Sequence, residues 1–173
     1  ITSRLVGSEM CIRDRPDVLV GQFEIPMNVN EQVFSYAYKN GVKTVLNPAP
    51  ANKPSDILLQ NTSWFIPNEI EFEEIYGDIF NENNLLLFAK NVDTNVVVTL
   101  GEKGCAYIEN NSVKIIKADS VKAIDTTGAG DAFVGAFSFA LASKLDIEEC
   151  LKLALKKATD SVTKKGTQSS YKN

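Results

Sequence analysis

The sequence contains no histidine, and this absence removes several classes of catalytic site. None of the 173 residues is His. Catalysis by Ser-His-Asp or Cys-His groups is therefore excluded, and so are metal sites built on imidazole ligands. If the protein needs a general base, a carboxylate is the natural candidate.

Disulfide frameworks, membrane spans and a basic surface are missing as well. Cysteine occurs only as Cys11, Cys105 and Cys150, an odd and scattered set that favours reduced thiols in a cytoplasmic compartment. No apolar run approaches the ~20 residues of a membrane span. A net charge of −4 argues against a general binder of nucleic acid or anionic membranes. The hydrophobic share of 44% and the length of 173 residues instead indicate one globular domain.

The most informative segment, residues 123–137, reads Ala-Ile-Asp-Thr-Thr-Gly-Ala-Gly-Asp-Ala-Phe-Val-Gly-Ala-Phe. An apolar, β-prone run at 121–124 predicts a strand that feeds a Gly-rich turn, and the turn opens into an Ala-rich helix. The first backbone N–H groups of a helix lack helical partners, and with the helix dipole they form an anion site. Gly128 and Gly130 let the backbone approach an anion without a Cβ in the way.

Asp131 places a carboxylate beside this predicted anion site. A carboxylate there does not help to bind an anion, but it makes sense as a base for a nucleophile that attacks phosphorus. On spacing alone, the alternative is an acidic residue that interacts with the helix dipole. The dinucleotide fingerprint does not fit because Phe133 occupies its third glycine position. The phosphate-binding P-loop does not fit either, since the chain has no Gly-Lys-Ser/Thr.

Strand and helix patterns alternate through most of the chain. Hydrophobic periodicity and turn residues predict strands at 17–21, 44–47, 64–66, 95–100, 105–108 and 113–118, with a hairpin turn at Asn110-Asn111. They predict helices at 30–40, 55–60, 68–77, 81–91, from the Gly-rich turn to about 143, and at 147–163. The last helix has Leu151, Leu155, Ala158 and Val162 at helical spacing, which favours core packing. The alternation indicates right-handed βαβ units and a parallel sheet with helices on both faces.

Three further acidic or amide side chains are open to two interpretations. Glu24 follows a predicted buried strand, where α/β proteins place ligand contacts, but it fits a solvated loop acid equally well. Asn68 and Glu71 share one face of a first helical turn. They could form a capping box, or they could order water around a phosphate-bound Mg²⁺.

Five segments, in this order, resemble the ribokinase-like (PfkB) carbohydrate kinases. They are Asn-Pro-Ala-Pro-Ala at 47–51, Pro-Asn-Glu-Ile-Glu at 67–71, Val-Thr-Leu-Gly-Glu-Lys-Gly at 98–104, Asp-Thr-Thr-Gly-Ala-Gly-Asp at 125–131 and Val-Thr-Lys-Lys-Gly-Thr-Gln at 162–168. The resemblance implies a three-layer α/β/α fold with a mostly parallel sheet. It also implies ATP-dependent phosphoryl transfer to a sugar hydroxyl, with the 5-hydroxyl of D-ribose favoured.

The resemblance also implies roles for individual residues. Asp131 matches the catalytic base, which also contacts the sugar, and Gly128, Ala129 and Gly130 match an anion hole. Asn68 and Glu71 match the pair that organises Mg²⁺ and phosphate, and Glu24 matches a ribose contact. Nucleotide contacts are implied for Asn68, Thr99, Leu100, Gly101, Glu102, Lys103, Gly104, Gly130 and Asp131. A K⁺ site is implied at the Asp125 side chain, the carbonyls of Thr127, Ser161, Lys164 and Gly166, and the Ser170 hydroxyl.

The chain also departs from the family pattern, because family members are nearly twice as long. Residues 1–15 match nothing and are expected to be a foreign leader, while 16–173 correspond to the C-terminal part of a kinase domain. The unmatched N-terminal part of the family carries a sugar motif and a small lid, through which a homodimer is expected. The implied partners are ribose and ATP rather than nucleic acid or a membrane. Another sugar or nucleoside kinase, such as a fructokinase, and a non-catalytic nucleotide-binding fragment remain alternatives.

Overall fold

A six-stranded sheet forms the centre of the protein. The computed structural model describes residues 16–167, so the expected leader at 1–15, Cys11 and Ser170 lie outside it. The strands are β1 (Val18–Gly21), β2 (Lys43–Leu46), β3 (Trp64–Phe65), β4 (Asn95–Thr99), β5 (Cys105–Glu109) and β6 (Ser112–Ile116). Their order in the sheet follows the chain, with β1 to β4 parallel and β4 to β6 antiparallel.

Six α-helices surround this sheet in the described residues. They are α1 (Met27–Lys39), α2 (Asp56–Gln60), α3 (Glu69–Tyr76), α4 (Glu82–Val92), α5 (Ala129–Ala142) and α6 (Ile147–Val162). A short 3₁₀ turn, Gly101–Lys103, joins β4 to β5. Within residues 16–167, no helix combines the length and the apolar character that a bilayer span requires.

The parallel strands inside the sheet, such as β2, are buried on both faces, which explains their apolar runs. Val45 and Leu46 are adjacent in β2 and both are fully buried, so their side chains point to opposite faces. Leu46 packs in a core with Phe34 and Phe72, from α1 and α3. Val45 packs in a second core formed mainly by α5 and α6. The predicted three-layer architecture with a mostly parallel sheet is therefore confirmed.

The strand predicted at 121–124 is wrong. This segment forms no strand, and Val121 and Ile124 are exposed. Instead of joining a neighbouring strand, the N–H groups of Ile124 and Asp125 both donate to the carbonyl of Val162, at 2.7 and 3.2 Å. The segment is therefore held by the last residue of α6 rather than by the sheet.

The start of α1, the β5–β6 hairpin and the free side of β1 are three local features of the fold. Helix α1 begins at Met27, earlier than predicted, directly after Pro26. The fixed φ of proline suits the start of a helix. The predicted Asn110-Asn111 hairpin turn is confirmed, with φ of 50° and 59° at the two positions. In the described part of the chain β1 pairs with β2 alone, which leaves an open edge there.

Candidate functional site

Two adjoining cavities lie where the parallel strands end. The small cavity, of about 140 Å³, is lined by Asn47, Ala49, Ile66, Asn68, Glu71, Thr99, Gly128, Gly130, Asp131 and Val134. The large cavity, of about 710 Å³, lies between the turn after β4 and the segments around α5 and α6. Asn68, Thr99 and Gly130 line both cavities. A ligand could therefore occupy the large cavity and extend one end into the small one.

The N-terminus of α5 forms one wall of the small cavity. Gly128 precedes the helix with φ of 79°, a left-handed conformation that glycine adopts without strain. The Ala129 N–H donates to Thr126 O at 3.3 Å, and the helical ladder begins with Ala132 N to Gly128 O at 2.9 Å. The amides of Gly130 and Asp131 precede that ladder, which makes them the best placed to receive an anion.

Neither the packing nor the backbone conformation around residue 130 requires a glycine. A Cβ built on it would meet nothing within 4 Å, and its φ is not positive. Alanine is the better helix former by about 0.8–1.0 kcal/mol. Because Gly130 faces both cavities, the missing side chain leaves room for whatever enters them.

The carboxylate of Asp131 lies at the mouth of the small cavity and is held from the opposite side. Its Oδ1 accepts a hydrogen bond from Gln22 Nε2 at 3.0 Å. The same nitrogen donates to Asn47 Oδ1 at 2.8 Å. Sequence reasoning missed Gln22 and Asn47 as site residues. The available signal was their position, since each directly follows a parallel strand at the sheet edge where ligands bind.

Asn68 and Glu71 form a complete capping box on α3. Asn68 Oδ1 accepts from the Glu71 N–H at 2.7 Å, and Glu71 Oε2 accepts from the Asn68 N–H at 2.8 Å. Burial raises the pKa of the Glu71 carboxyl, and the Asn68 N–H opposes that rise. The capping interpretation is confirmed, and both side chains also line the small cavity. The cap therefore fixes the pair in place without removing it from the cavity.

The donor set of the small cavity fits a cation that arrives with an anionic ligand. The charged residues lining it are Glu71 and Asp131, with no Lys or Arg in the described lining. Across residues 16–167 no cluster of three or more His, Cys, Asp or Glu could hold a metal alone. Mg²⁺ usually binds through one or two carboxylates plus phosphate oxygens and water. The residues present fit Mg²⁺ carried by a phosphate ligand.

The turn after β4 supplies one wall of the large cavity. Thr99, Gly101, Glu102, Lys103 and Gly104, for which the family resemblance implies nucleotide contacts, all line it. The side chain of Leu100 packs in the core instead, and its N–H closes the turn on Gly104 O at 2.8 Å.

A close backbone approach and an ion pair define the position of this turn. Gly104 has φ of 104°, and a Cβ on it would lie 1.9 Å from the Ile116 carbonyl, so no other residue fits without movement. Lys103 Nζ lies 3.7 Å from Glu69 Oε1, and both side chains are partly exposed. The turn is thus fixed against β6 and positioned beside the first residue of α3.

The opposite wall of the large cavity is largely apolar, and the sequence did not reveal it. It includes Ala118, Val121, Ala123, Leu155, Ala158 and Val162. The core role predicted for α6 is confirmed at Leu151 and Leu155, which are buried. Farther along the same face of α6, Ala158 and Val162 line the cavity. Helical spacing alone therefore cannot separate core positions from cavity positions.

The described residues predicted for a cation site lie close together, next to the loop that precedes α5. Asp125 Oδ1 accepts from Thr127 N at 3.0 Å, and Asp125 Oδ2 accepts from Gly166 N at 3.1 Å. These backbone donors, with Thr127 first, lower the pKa of the Asp125 carboxyl. The Ser161 carbonyl accepts from Lys164 N at 3.3 Å. Ser170, the remaining predicted ligand, lies outside the described residues.

Glu24 is exposed on the loop between β1 and α1 and does not line the small cavity. The two cavities thus bring together most of the described residues predicted for nucleotide, phosphate and Mg²⁺ contacts, whereas the Leu100 side chain packs in the core and Glu24 lies at the surface.

Comparison with known proteins identifies the family. The model of the pfkB family carbohydrate kinases matches residues 20–173. The chain belongs to this family. It is 41% identical over 175 residues to a ribokinase from Haemophilus influenzae, covering 94% of the chain and 57% of that relative. It is 36% identical over 160 residues to a deoxyribokinase from Salmonella typhimurium, covering 89% of the chain and 52% of that relative.

The fold matches this pfkB-family assignment. The structure of Arabidopsis thaliana ribokinase complexed with ribose and ATP aligns with a TM-score of 0.82 and 28% identity, covering 89% of this chain and 52% of that one. The chain therefore spans about half the length of the relatives it matches.

If the two cavities hold Mg²⁺-ATP in the full-length protein, Gly130→Ala should weaken its binding by at least about tenfold, because the added methyl group enters the space shared by both cavities. Stability should stay equal or rise slightly, since alanine favours the helix. Gly135→Ala is the matched control, because Gly135 is also in α5 with open space around it. Calorimetric titration measures both affinities, and equal affinities for the two variants would contradict the assigned ligand position.

If Glu71 supports a Mg²⁺ ion that an enzymatic reaction of the full-length protein requires, Glu71→Gln should raise the Mg²⁺ concentration needed for half-maximal activity by at least about tenfold. The amide oxygen can still accept from the Asn68 N–H, so the cap is largely kept. Glu74→Gln, at an exposed position of α3, is the control. An unchanged Mg²⁺ profile with a lower melting temperature would assign Glu71 to helix capping alone.

Proposed function

We propose that this chain is the nucleotide-binding and base-bearing part of an ATP-dependent sugar kinase that phosphorylates the 5-hydroxyl of D-ribose to give ribose 5-phosphate. The observation that carries the proposal is the position of Asp131. Its carboxylate lies in the first turn of α5, beside the Gly130 amide and at the small cavity that adjoins the large one. A base next to an anion site is the arrangement that phosphoryl transfer to a hydroxyl requires.

In this proposal Asp131 accepts the proton of the attacking hydroxyl. The amides of Gly130 and Asp131, at the start of α5, donate to the oxygens of the transferred phosphoryl group, whereas the Ala129 N–H is already bonded to Thr126 O. Fixed donors aimed at developing charge stabilise the transition state without reorganisation. Asn68 and Glu71 orient water and phosphate, while Mg²⁺ bound to ATP supplies neutralisation of the phosphate charge. The 99–104 turn holds the nucleotide, and the apolar wall provides a surface on which adenine can pack.

We also assign K⁺ to the Asp125 cluster, with the carbonyls of Thr127, Ser161, Lys164 and Gly166 and the Ser170 hydroxyl as the other ligands. The hydrogen bonds that tie residues 125–127 to residue 166 support this assignment. A cation held behind the loop would stabilise its geometry and add positive potential beneath the phosphate.

The identity of the sugar rests on relatives. A ribokinase matches the chain at 41% identity and a deoxyribokinase at 36%, so 2-deoxyribose is the second candidate substrate. We assign residues 16–173 to the C-terminal part of a kinase domain and Glu24 to a sugar hydroxyl contact. A sugar-covering lid, and a homodimer formed through it, would belong to the part of the relatives that this chain does not match. Buried, unpaired Cys105 and Cys150 agree with a cytoplasmic location.

The test is Asp131→Asn in the full-length protein, assayed for ADP formation with ribose and with 2-deoxyribose. We expect kcat to fall by about 10²–10⁴-fold, the usual contribution of a general base. The affinity for ATP should change little, because the backbone amides remain. Asp160→Asn, an exposed carboxylate on α6, is the control and should keep full activity.

Two outcomes would contradict the proposal. Turnover of the Asp131→Asn variant within a few-fold of the original would show that Asp131 is not the base. A wild-type kcat/KM that is higher for 2-deoxyribose than for ribose would replace ribose with the second candidate.

A further inference from the structure

A chain of hydrogen bonds through two side-chain amides connects Asp131, the proposed base, to the carboxyl ends of the parallel strands. It begins at the Ile66 carbonyl, which accepts from Asn47 Nδ2 at 2.9 Å. Asn47 Oδ1 accepts from Gln22 Nε2 at 2.8 Å, and the same Gln22 nitrogen donates to Asp131 Oδ1 at 3.0 Å. The chain thus spans the ends of β3, β2 and β1 before it reaches α5.

The orientation of each amide in this chain is determined by the groups at its ends. A backbone carbonyl only accepts, so the nitrogen of Asn47 must face Ile66 and its oxygen must face Gln22. Gln22 must then present its NH₂ group, whose two hydrogens serve Asn47 and Asp131 together. Reversing Gln22 would place its oxygen against two other acceptors. The Asp131 Oδ1 acceptor at the far end completes the chain.

Gln22 itself is held by buried residues. Its backbone carbonyl accepts from Asn30 Nδ2 at 2.8 Å, and Asn30 is 2% exposed. Immediately before it, Gly21 packs so closely against α1 that a Cβ would lie 2.5 Å from Phe34 Cε2. Asn47 is also buried. Asp131 is exposed, so without Gln22 its side chain would be free to leave its rotamer and be solvated.

We propose that Gln22 is a positioning residue for the base. By donating to Oδ1, it holds the Asp131 carboxylate in one rotamer and leaves Oδ2 free to accept the proton of the sugar hydroxyl. Only the NH₂ group of Gln22 faces the carboxylate, so the amide supports its position without competing for the proton of the hydroxyl. The inference rests on the proposed function, because it assigns Gln22 a role only through Asp131.

The test is a double-mutant cycle in the full-length protein with Gln22→Met and Asp131→Asn. Methionine keeps the length of the side chain but removes the donor, so we expect kcat to fall by about 10- to 100-fold, as for a lost hydrogen bond to a charged group. The KM for ATP should be unchanged. Gln22→Glu, which places a second carboxylate against Asp131, should lower kcat further. Gln32→Met, at an exposed position of α1, is the matched control.

In the Asp131→Asn background, Gln22→Met should change kcat by less than about twofold, because the group it positions is already gone. An equal loss in both backgrounds would show a general structural role and overturn this inference alone. Little loss from Asp131→Asn by itself would overturn the proposed function, and this inference with it. Melting temperatures of all variants confirm that the folded state is being compared, and Gln22→Glu repeats the cycle if Gln22→Met does not fold.

Discussion

The whole site depends on one constraint, which is that the first turn of α5 must present backbone amides and a carboxylate to the same small space. The amides of Gly130 and Asp131 attract an anion, while the Asp131 side chain repels it. Glu71 adds a second carboxylate to the cavity, and the described lining provides no cationic side chain. A phosphate in such a cavity is therefore better accommodated together with its own counter-ion. The electrostatics of the chain therefore favour a metal–nucleotide complex over free phosphate.

The position of this turn is set by the far end of another helix. The Val162 carbonyl, at the C-terminus of α6, accepts from the N–H groups of Ile124 and Asp125. Asp125 in turn accepts from Thr127 and Gly166. These bonds fix the loop immediately before Gly128, where the backbone turns through a left-handed conformation into α5. Packing of α5 against α6 in the second core then holds the helix start over the sheet edge.

The fold and the ligand-facing loops could be predicted from sequence because their signals are local. Alternating strands and helices indicated the layers, and the Gly-rich turn at 128–131 marked the start of α5, which lines the small cavity. The segment at 121–124 was predicted wrongly because its apolar, β-prone composition resembles a strand, while its hydrogen-bond partner is in α6. Gln22 could not be found from spacing, since it meets Asp131 across a sequence separation of 109 residues. The apolar wall of the large cavity was hidden because Leu155 also belongs to the core.

The most direct test of the central claim is a crystal structure of the full-length protein with Mg²⁺ and a non-hydrolysable ATP analogue. We expect the terminal phosphate to accept hydrogen bonds from the amides of Gly130 and Asp131, at about 2.7–3.2 Å. The adenine ring of the analogue should extend into the large cavity, between the 101–104 turn and the apolar wall. A terminal phosphate bound away from the start of α5, with the small cavity filled by water alone, would contradict the account.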